Sequence, residues 1–182
     1  MYERLHTFLN SRQAKYKEIS HASAVTAQEQ AAVMHTPGMR VAKVLIVKER
    51  DGFAMAVVPA ATQVDLDRLK GLIGHDDLRL ATVEEAGGVV PDCMPGAIPP
   101  FGSLYGLRTF VDRRLFAAPE VTVPGGSPGL AIRMRSAEFG RLVDAQTGDF
   151  AVPEAVVTTA GVMRDRVRRP RAPARAARRK GR

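Results

Sequence analysis

The chain has 182 residues, enough for one well-buried core, and its 45% hydrophobic and 25% charged residues fit a globular domain. No run of 18 apolar residues argues for a membrane span, and the opening Met1-Tyr2-Glu3-Arg4-Leu5-His6 lacks the basic-then-apolar pattern of a leader. The formal charge of +8 is unevenly spread: residues 164–182 hold nine arginines, Lys180 and Asp165, a net +9, and the rest carries 17 basic and 18 acidic groups, a net −1. In chain order, Tyr2 to Gln13 reads as an amphipathic helix with Leu5, Phe8 and Leu9 on one face, and Tyr16 to His21 as a short strand. Thr26-Ala-Gln-Glu29 has capping-box spacing and opens a helix through Met34 that Pro37-Gly38 stops. Val41 to Lys48 and Phe53 to Val58 read as a hairpin turned at Asp51-Gly52. A helix is expected over Val64 to Ile73 with Asp65 as its cap, then a short strand over Leu78 to Ala81. Thr82-Val-Glu-Glu85 repeats the capping-box pattern before a short helix ended by Gly87-Gly88. Leu107 to Val111 is a strand followed by a turn at Asp112. Glu120 to Val123 and Leu130 to Met134 pair across a loop, Pro124-Gly-Gly-Ser-Pro-Gly129, and Ser136 to Val143 forms the last helix. Strands and helices mix without regular alternation, which predicts a mixed α/β (α+β) fold: one domain, a central mixed sheet flanked by helices.

Cys93 is the only cysteine, so no internal disulfide can form and a reducing compartment, the cytoplasm, is expected. Four scattered histidines and one cysteine give no metal-site spacing, and no cofactor motif is present. The arginine-rich stretch 164–182 has almost no core-forming residues, and self-repulsion with two prolines predicts disorder in isolation. Such a tail suits RNA phosphates with salt-dependent affinity, or serves only to solubilise.

Gly96-Ala-Ile-Pro-Pro-Phe-Gly102 is the most informative stretch. Pro99 and Pro100 lack backbone donors and fix φ, while Gly96 and Gly102 permit positive φ and close approach. The segment predicts a stiff loop with exposed main-chain groups near Gly96, Ala97 and Ile98, able to aim dipoles at a ligand with little entropy loss. Composition alone favours an ordinary Pro-Gly surface turn. In the strand Val41-Ala-Lys-Val-Leu-Ile-Val47, apolar residues lie on both faces and Lys43 interrupts one of them. Either Lys43 reaches solvent at the strand's mouth, or its ammonium points into a polar pocket as a donor to a carbonyl, carboxylate or phosphate oxygen.

The order of Thr26-x-x-Glu29, Lys43 in Lys-Val-Leu-Ile-Val, Gly96-Ala-Ile-Pro-Pro-Phe-Gly102 and Val111-Asp112 resembles the YbaK/ProX superfamily of aminoacyl-tRNA editing domains, also found inserted in bacterial prolyl-tRNA synthetases. The resemblance covers about residues 1–150 and implies a deacylase domain over 1–155, with a basic tail over 156–182 outside it. It implies hydrolysis by water of the ester joining a wrong amino acid to its tRNA, with no covalent nucleophile. An aminoacyl ester is already activated, so positioning and charge stabilisation suffice. On this likeness the backbone of Gly96, Ala97, Ile98, Pro99 and Pro100 binds near the aminoacyl group. Lys43 lies in the same pocket and contacts an ester or terminal-nucleotide oxygen. Lys43 and Gly96 are then the catalytic positions. His21 lines the pocket or bonds a turn, Ser127 approaches the substrate from the Gly-rich loop, and Phe101 braces the loop or stacks on a terminal adenine. Asp112 is expected to order a turn, and Cys93 to pack rather than attack. The implied partners are mischarged tRNA and a synthetase, with no membrane. The alternative is a catalytically silent domain of the same fold that binds aminoacyl-tRNA or a synthetase as a regulator or adaptor.

Overall fold

The computed structural model describes residues 2–94 and 96–154. The arginine-rich stretch 164–182 and the expected boundary at residue 155 lie outside them. Helix α1 (Tyr2–Ser11) leads to β1 (Tyr16–Ser20), α2 (Ala27–Val33), β2 (Ala42–Glu49), β3 (Gly52–Pro59), β4 (Thr62–Val64), α3 (Leu66–Ile73), β5 (Leu78–Leu80) and α4 (Val83–Val89). After the proline loop come β6 (Arg108–Asp112), β7 (Glu120–Ser127), β8 (Leu130–Arg135), α5 (Ser136–Val143), β9 (Gln146–Gly148) and β10 (Ala151–Pro153). No helix among the described residues is long and apolar enough to cross a membrane.

The central sheet has the order β5-β2-β3-β6-β9 and is mixed: β3 pairs antiparallel with β2 and parallel with β6. A second, antiparallel sheet runs β1-β8-β7 and meets the first through the parallel bridge between Val41 and Thr122. The strand alternation of β2 decides what each face covers. Ala42, Val44 and Ile46 face the larger core with Met55, Val57 and Val111, where α1 contributes Leu5 and Leu9 and α5 contributes Phe139 and Leu142. Leu45 and Val47 face the smaller core with Val58, Phe110, Phe150 and the α3 residue Leu69. The expected mixed α/β fold with helices flanking a central sheet is therefore observed.

The departures have local causes. The Asp65 carboxylate accepts from the N–H groups of Asp67 and Arg68 (3.1 Å each), so α3 starts after it and Val64 belongs to β4. Helix α4 runs through Gly87-Gly88 to Val89 rather than stopping there. The expected loop from Pro124 to Ser127 is the end of β7, with a bulge between Pro124 and Ser127. The three-residue strands β4, β9 and β10 are too short to show an alternation in sequence.

One buried charge ties the last strands to the sheet. Asp112 is fully buried (0% exposed). Its carboxylate accepts from the N–H groups of Phe150 (2.8 Å) and Ala151 (2.6 Å) and from Arg114 Nη1 (3.3 Å to Oδ1, 3.2 Å to Oδ2). It also caps the turn by accepting from Arg114 N–H (3.0 Å). Its role is structural, as the sequence suggested. Asp112→Ala strands two buried donors and a guanidinium, so the loss in urea unfolding free energy is expected at about 3–5 kcal/mol, the cost of breaking a buried pair; a loss under about 1 kcal/mol would contradict this role.

Candidate functional site

The proline loop crosses beneath an open strand edge. Strand β5 covers β2 only from Val47 to Glu49, and β7 bridges the chain at Val41, just before β2 begins. Between these contacts the edge of β2 away from β3 has no strand neighbour, and a cleft of about 330 Å³ opens there. Its walls are Val44 and Ile46 of β2, Val83 and Ala86 of α4, and Gly96 and Ile98 of the loop. The lining is almost wholly apolar, and among the described lining residues Cys93 alone titrates.

Three neighbours hold the loop. Gly96 has φ +79°, and a methyl on its Cα would collide with the Val25 carbonyl oxygen. Gln30 of α2 is buried (3% exposed), and its Nε2 donates to the Gly96 carbonyl (2.9 Å) and, at 3.4 Å, to that of Ala24. Gly126, at φ +87° in the β7 bulge, donates its N–H to the Ala97 carbonyl (3.0 Å), and Ala97 N–H donates to Met94 (3.0 Å). The expectation of exposed main-chain groups at Gly96 and Ala97 is therefore corrected: both carbonyls and the Ala97 N–H are spent inside the protein. The Ile98 N–H and C=O are different. Neither has a partner among the described residues, although the residue is 7% exposed. Main-chain groups without an internal partner can bond a ligand or water. Pro99 and Pro100 are buried and supply stiffness beneath the cleft.

Several side chains stand elsewhere than expected. Lys43 leaves β2 on the face opposite Val44 and Ile46, because successive strand side chains alternate. Its half-buried ammonium donates to the Thr62 carbonyl, and burial lowers its pKa while Glu154 opposes the shift. Lys43 is not among the residues that line this cleft. Helix α2 lies by both the lysine and the loop: Gln30 reaches Gly96, and Gln28 bonds Glu154. Phe101 is fully buried, ring to ring with Phe8 (5.1 Å between centroids) and Phe139 (6.2 Å), which excludes stacking on an adenine and leaves the bracing role. His21 bonds the turn: its N–H donates to Gly129 (2.9 Å) and its Nδ1 lies 2.8 Å from the Ala22 carbonyl. His21 Nε2 is buried with no partner among the described residues. Ser127 is exposed at the β7 end, outside the cleft lining. Cys93 lies in the cleft wall with its thiol 3.2 Å from the Tyr105 hydroxyl, and burial pushes its pKa up, which opposes a thiolate nucleophile. Among the described residues no cluster of three His, Cys, Asp or Glu side chains could hold a metal.

The profile of the aminoacyl-tRNA editing domain matches residues 21–142. The chain belongs to the aminoacyl-tRNA editing domain family. It is 35% identical over 60 residues to a proline–tRNA ligase of Thermosipho africanus, 33% of this chain and 11% of that protein. It is 30% identical over 127 residues to a protein of Kineococcus radiotolerans named pyridoxal 5′-phosphate synthase subunit PdxT, 70% of this chain and 55% of the other. The chain thus spans only part of both relatives. A solved structure described as a candidate trans-editing enzyme for prolyl tRNA synthetase superposes with a TM-score of 0.71 at 28% identity, covering 83% of this chain and 96% of that one. The hypothetical protein APE2540 gives 0.75 at 21% identity, a likeness of fold alone, covering 82% and 99%.

Gln30 was not visible as a site residue in the sequence. Its one signal was an amide on the otherwise apolar face of α2, beside Ala27 and Ala31. Gln30→Leu keeps the volume and removes the donor. The buried Gly96 carbonyl then goes unpaired, at an expected cost of about 1–3 kcal/mol in urea unfolding, with faster hydrogen exchange at the Ala97 N–H. Unchanged stability and exchange would show that the loop does not depend on this clamp.

Proposed function

We propose that this editing-family domain hydrolyses the ester of mischarged aminoacyl-tRNA in trans, with water as nucleophile. The observation that carries the proposal is the apolar cleft whose lining includes Ile98, a residue with no main-chain partner among the described residues. An aminoacyl side chain fits the apolar walls, and the Ile98 N–H offers a fixed donor to the ester oxygen on which charge develops. The described lining holds no carboxylate or histidine to act as base, which suits an ester reactive enough to need placement and charge stabilisation more than proton abstraction. Action in trans is supported by the cover of 96% of the candidate trans-editing enzyme. The small apolar volume favours small uncharged aminoacyl groups, the class that a first binding site separates poorly because a methylene is worth only about 1–3 kcal/mol.

A panel of tRNAs mischarged with small uncharged amino acids tests this directly, and release of free amino acid from at least one is the expected result. No deacylation across the panel would favour a silent binding domain. Gly96→Ala pushes the loop off the Val25 carbonyl and misplaces the Ile98 donor. Its deacylation rate should fall about 10²–10³-fold, the usual effect of losing one oxyanion donor. A rate close to that of the unsubstituted protein would remove the loop from the reaction.

Lys43 takes a different part in this mechanism. Its ammonium, beside Thr62 and Glu154, would meet an oxygen of the terminal nucleotide rather than the ester. Lys43→Ala should then raise KM about tenfold with kcat changed little, because a contact made equally in ground and transition states affects binding only. A large fall in kcat at unchanged KM would return the lysine to the ester.

A further inference from the structure

Among the described residues, cations without an ion pair are concentrated on one face, with Arg12 and Arg50 standing apart from it. Over most of the surface each arginine or lysine meets a carboxylate: Arg4 meets Asp92, Lys48 and Arg79 meet Glu85, Arg108 meets Glu49, and Arg113 meets Asp149. The outer face of β1-β8-β7 is different. Lys17 on β1 stands directly opposite Arg133 on β8, a like-charge pair that costs stability in an antiparallel ladder. Arg133 has no carboxylate partner among the described residues. Its Nε donates to Thr122 Oγ1 (3.2 Å) and its Nη2 to Thr36 Oγ1 (2.9 Å), which fixes the guanidinium in place with its charge unspent. Lys15, Arg40 and Arg135 are exposed nearby, line the same two adjoining hollows, and have no ion pair among the described residues. Two acids share the hollows. Glu138 is taken by Arg141, and Glu120 lies across the ladder from Arg135 without an ion pair.

We infer that this face binds the phosphate backbone of the RNA whose charged 3′ end enters the cleft. The choice of RNA rests on the deacylase proposal, and the choice of face rests on charge alone. A body with net charge −1 has little overall pull on RNA, so attraction needs local excess, and the excess is here. The placement fits one substrate bridging both sites. The bulged end of β7 touches the loop through Gly126 and Ala97, and β8 carries the cations away from that end. Arg133 lies four residues past Gly129, roughly 13 Å along the strand, and Arg135 roughly 20 Å. A single-stranded 3′ end in the cleft therefore leads onto cations where a duplex stem begins. Arg133, held by two threonines, supplies a pre-oriented fork for phosphate oxygens, and the exposed Lys17, Arg40 and Arg135 supply counter-charge around it.

The test measures binding of the full chain to uncharged tRNA between 50 and 200 mM salt. The exposed positions are neutralised together as Lys17→Gln, Arg40→Gln and Arg135→Gln, with the urea midpoint checked for an intact fold. Loss of three phosphate contacts should flatten the slope of log K against log salt by about 2.7, and weaken binding at 50 mM salt more than at 200 mM. Arg50→Gln, an unpaired cation at the β2–β3 turn and away from this face, should leave the slope unchanged. The arginines of residues 164–182 are common to every variant and cancel in the comparison. An unchanged slope in the triple variant overturns the proposal. So does tighter binding of the unsubstituted protein to phosphatidylglycerol vesicles than to tRNA, lost in the triple variant, which would make the face a membrane contact. The two proposals fail separately. A flattened slope without deacylation leaves the RNA face standing and removes the reaction, and deacylation with an unchanged slope does the reverse.

Discussion

The close approach of two backbones governs the site. The Val25 carbonyl lies where any side chain on residue 96 would begin, and the Gly96 backbone sits at φ +79°. Both conditions admit glycine readily and other residues only with strain. Given that contact, the capping box that starts α2 also positions the loop. Thr26 and Glu29 fix the first turn of α2, that turn fixes Gln30, and Gln30 holds the Gly96 carbonyl. The two prolines then carry the chain stiffly under the cleft to Phe101, which is locked between Phe8 and Phe139. A local helix-start signal is thereby converted, through one amide, into the geometry of a loop 66 residues away.

The cleft itself follows from incomplete strand pairing. A strand in the middle of a sheet has both edges filled. Here β5 stops short and β7 bridges the chain just before β2 begins. The sheet is left with an internal gap that α4 and the loop wall off rather than fill. An apolar gap of this kind lowers the local dielectric, so a single fixed N–H at Ile98 interacts more strongly with a developing oxyanion than it would in water. The scarcity of titrating side chains is then consistent with the chemistry. In the proposed reaction charge stabilisation would come from a rigid dipole, and the thiol of Cys93, its pKa raised by burial and its sulfur near the Tyr105 hydroxyl, is not set up as a nucleophile.

What could be read in the sequence was whatever a single segment encodes. Both capping boxes, the helix cap at Asp65 and the turn at Asp112 are local, and the structure has them where their residues say; the β2–β3 hairpin is also present, but it turns at Arg50-Asp51, one residue before the expected Asp51-Gly52, because Gly52 already pairs with Glu49. The proline loop was also legible as a stiff element. Its bonding was not: Ala97 finds Gly126 and Gly96 finds Gln30 only once the fold brings distant segments together. Lys43 shows the limit most clearly. The sequence placed it on one face of a two-faced strand and could not say which face would look at the loop. Strand alternation then sends it to Thr62, while its neighbours Val44 and Ile46 take the cleft. Phe101 shows the opposite limit, since an aromatic beside a binding loop reads alike as a platform or as core until its burial is known. Strands of three residues, such as β9, carry too few alternations to be seen at all.

Net charge is a poor guide to what this body can attract. Its sum is close to zero, yet the cancellation is local on most of the surface and fails on one face. An arginine at 3.2 Å from a carboxylate presents little field to a third party. An arginine held by two threonines presents nearly all of it, at short range because salt screens it beyond roughly 8 Å in physiological conditions. Selectivity for a polyanion can therefore coexist with a neutral body, provided that the pairing is uneven. The like-charged Lys17–Arg133 rung marks where it is most uneven, since a sheet optimised for stability alone would place an acid in one of those two positions. The cations lie on β8 and the strands beside it, and the β7–β8 hairpin also buttresses the loop through Gly126, so attraction and positioning are built on one rigid element. On the proposal above, a polyanion held on that face would have its free end directed at the gap in β2 without domain motion.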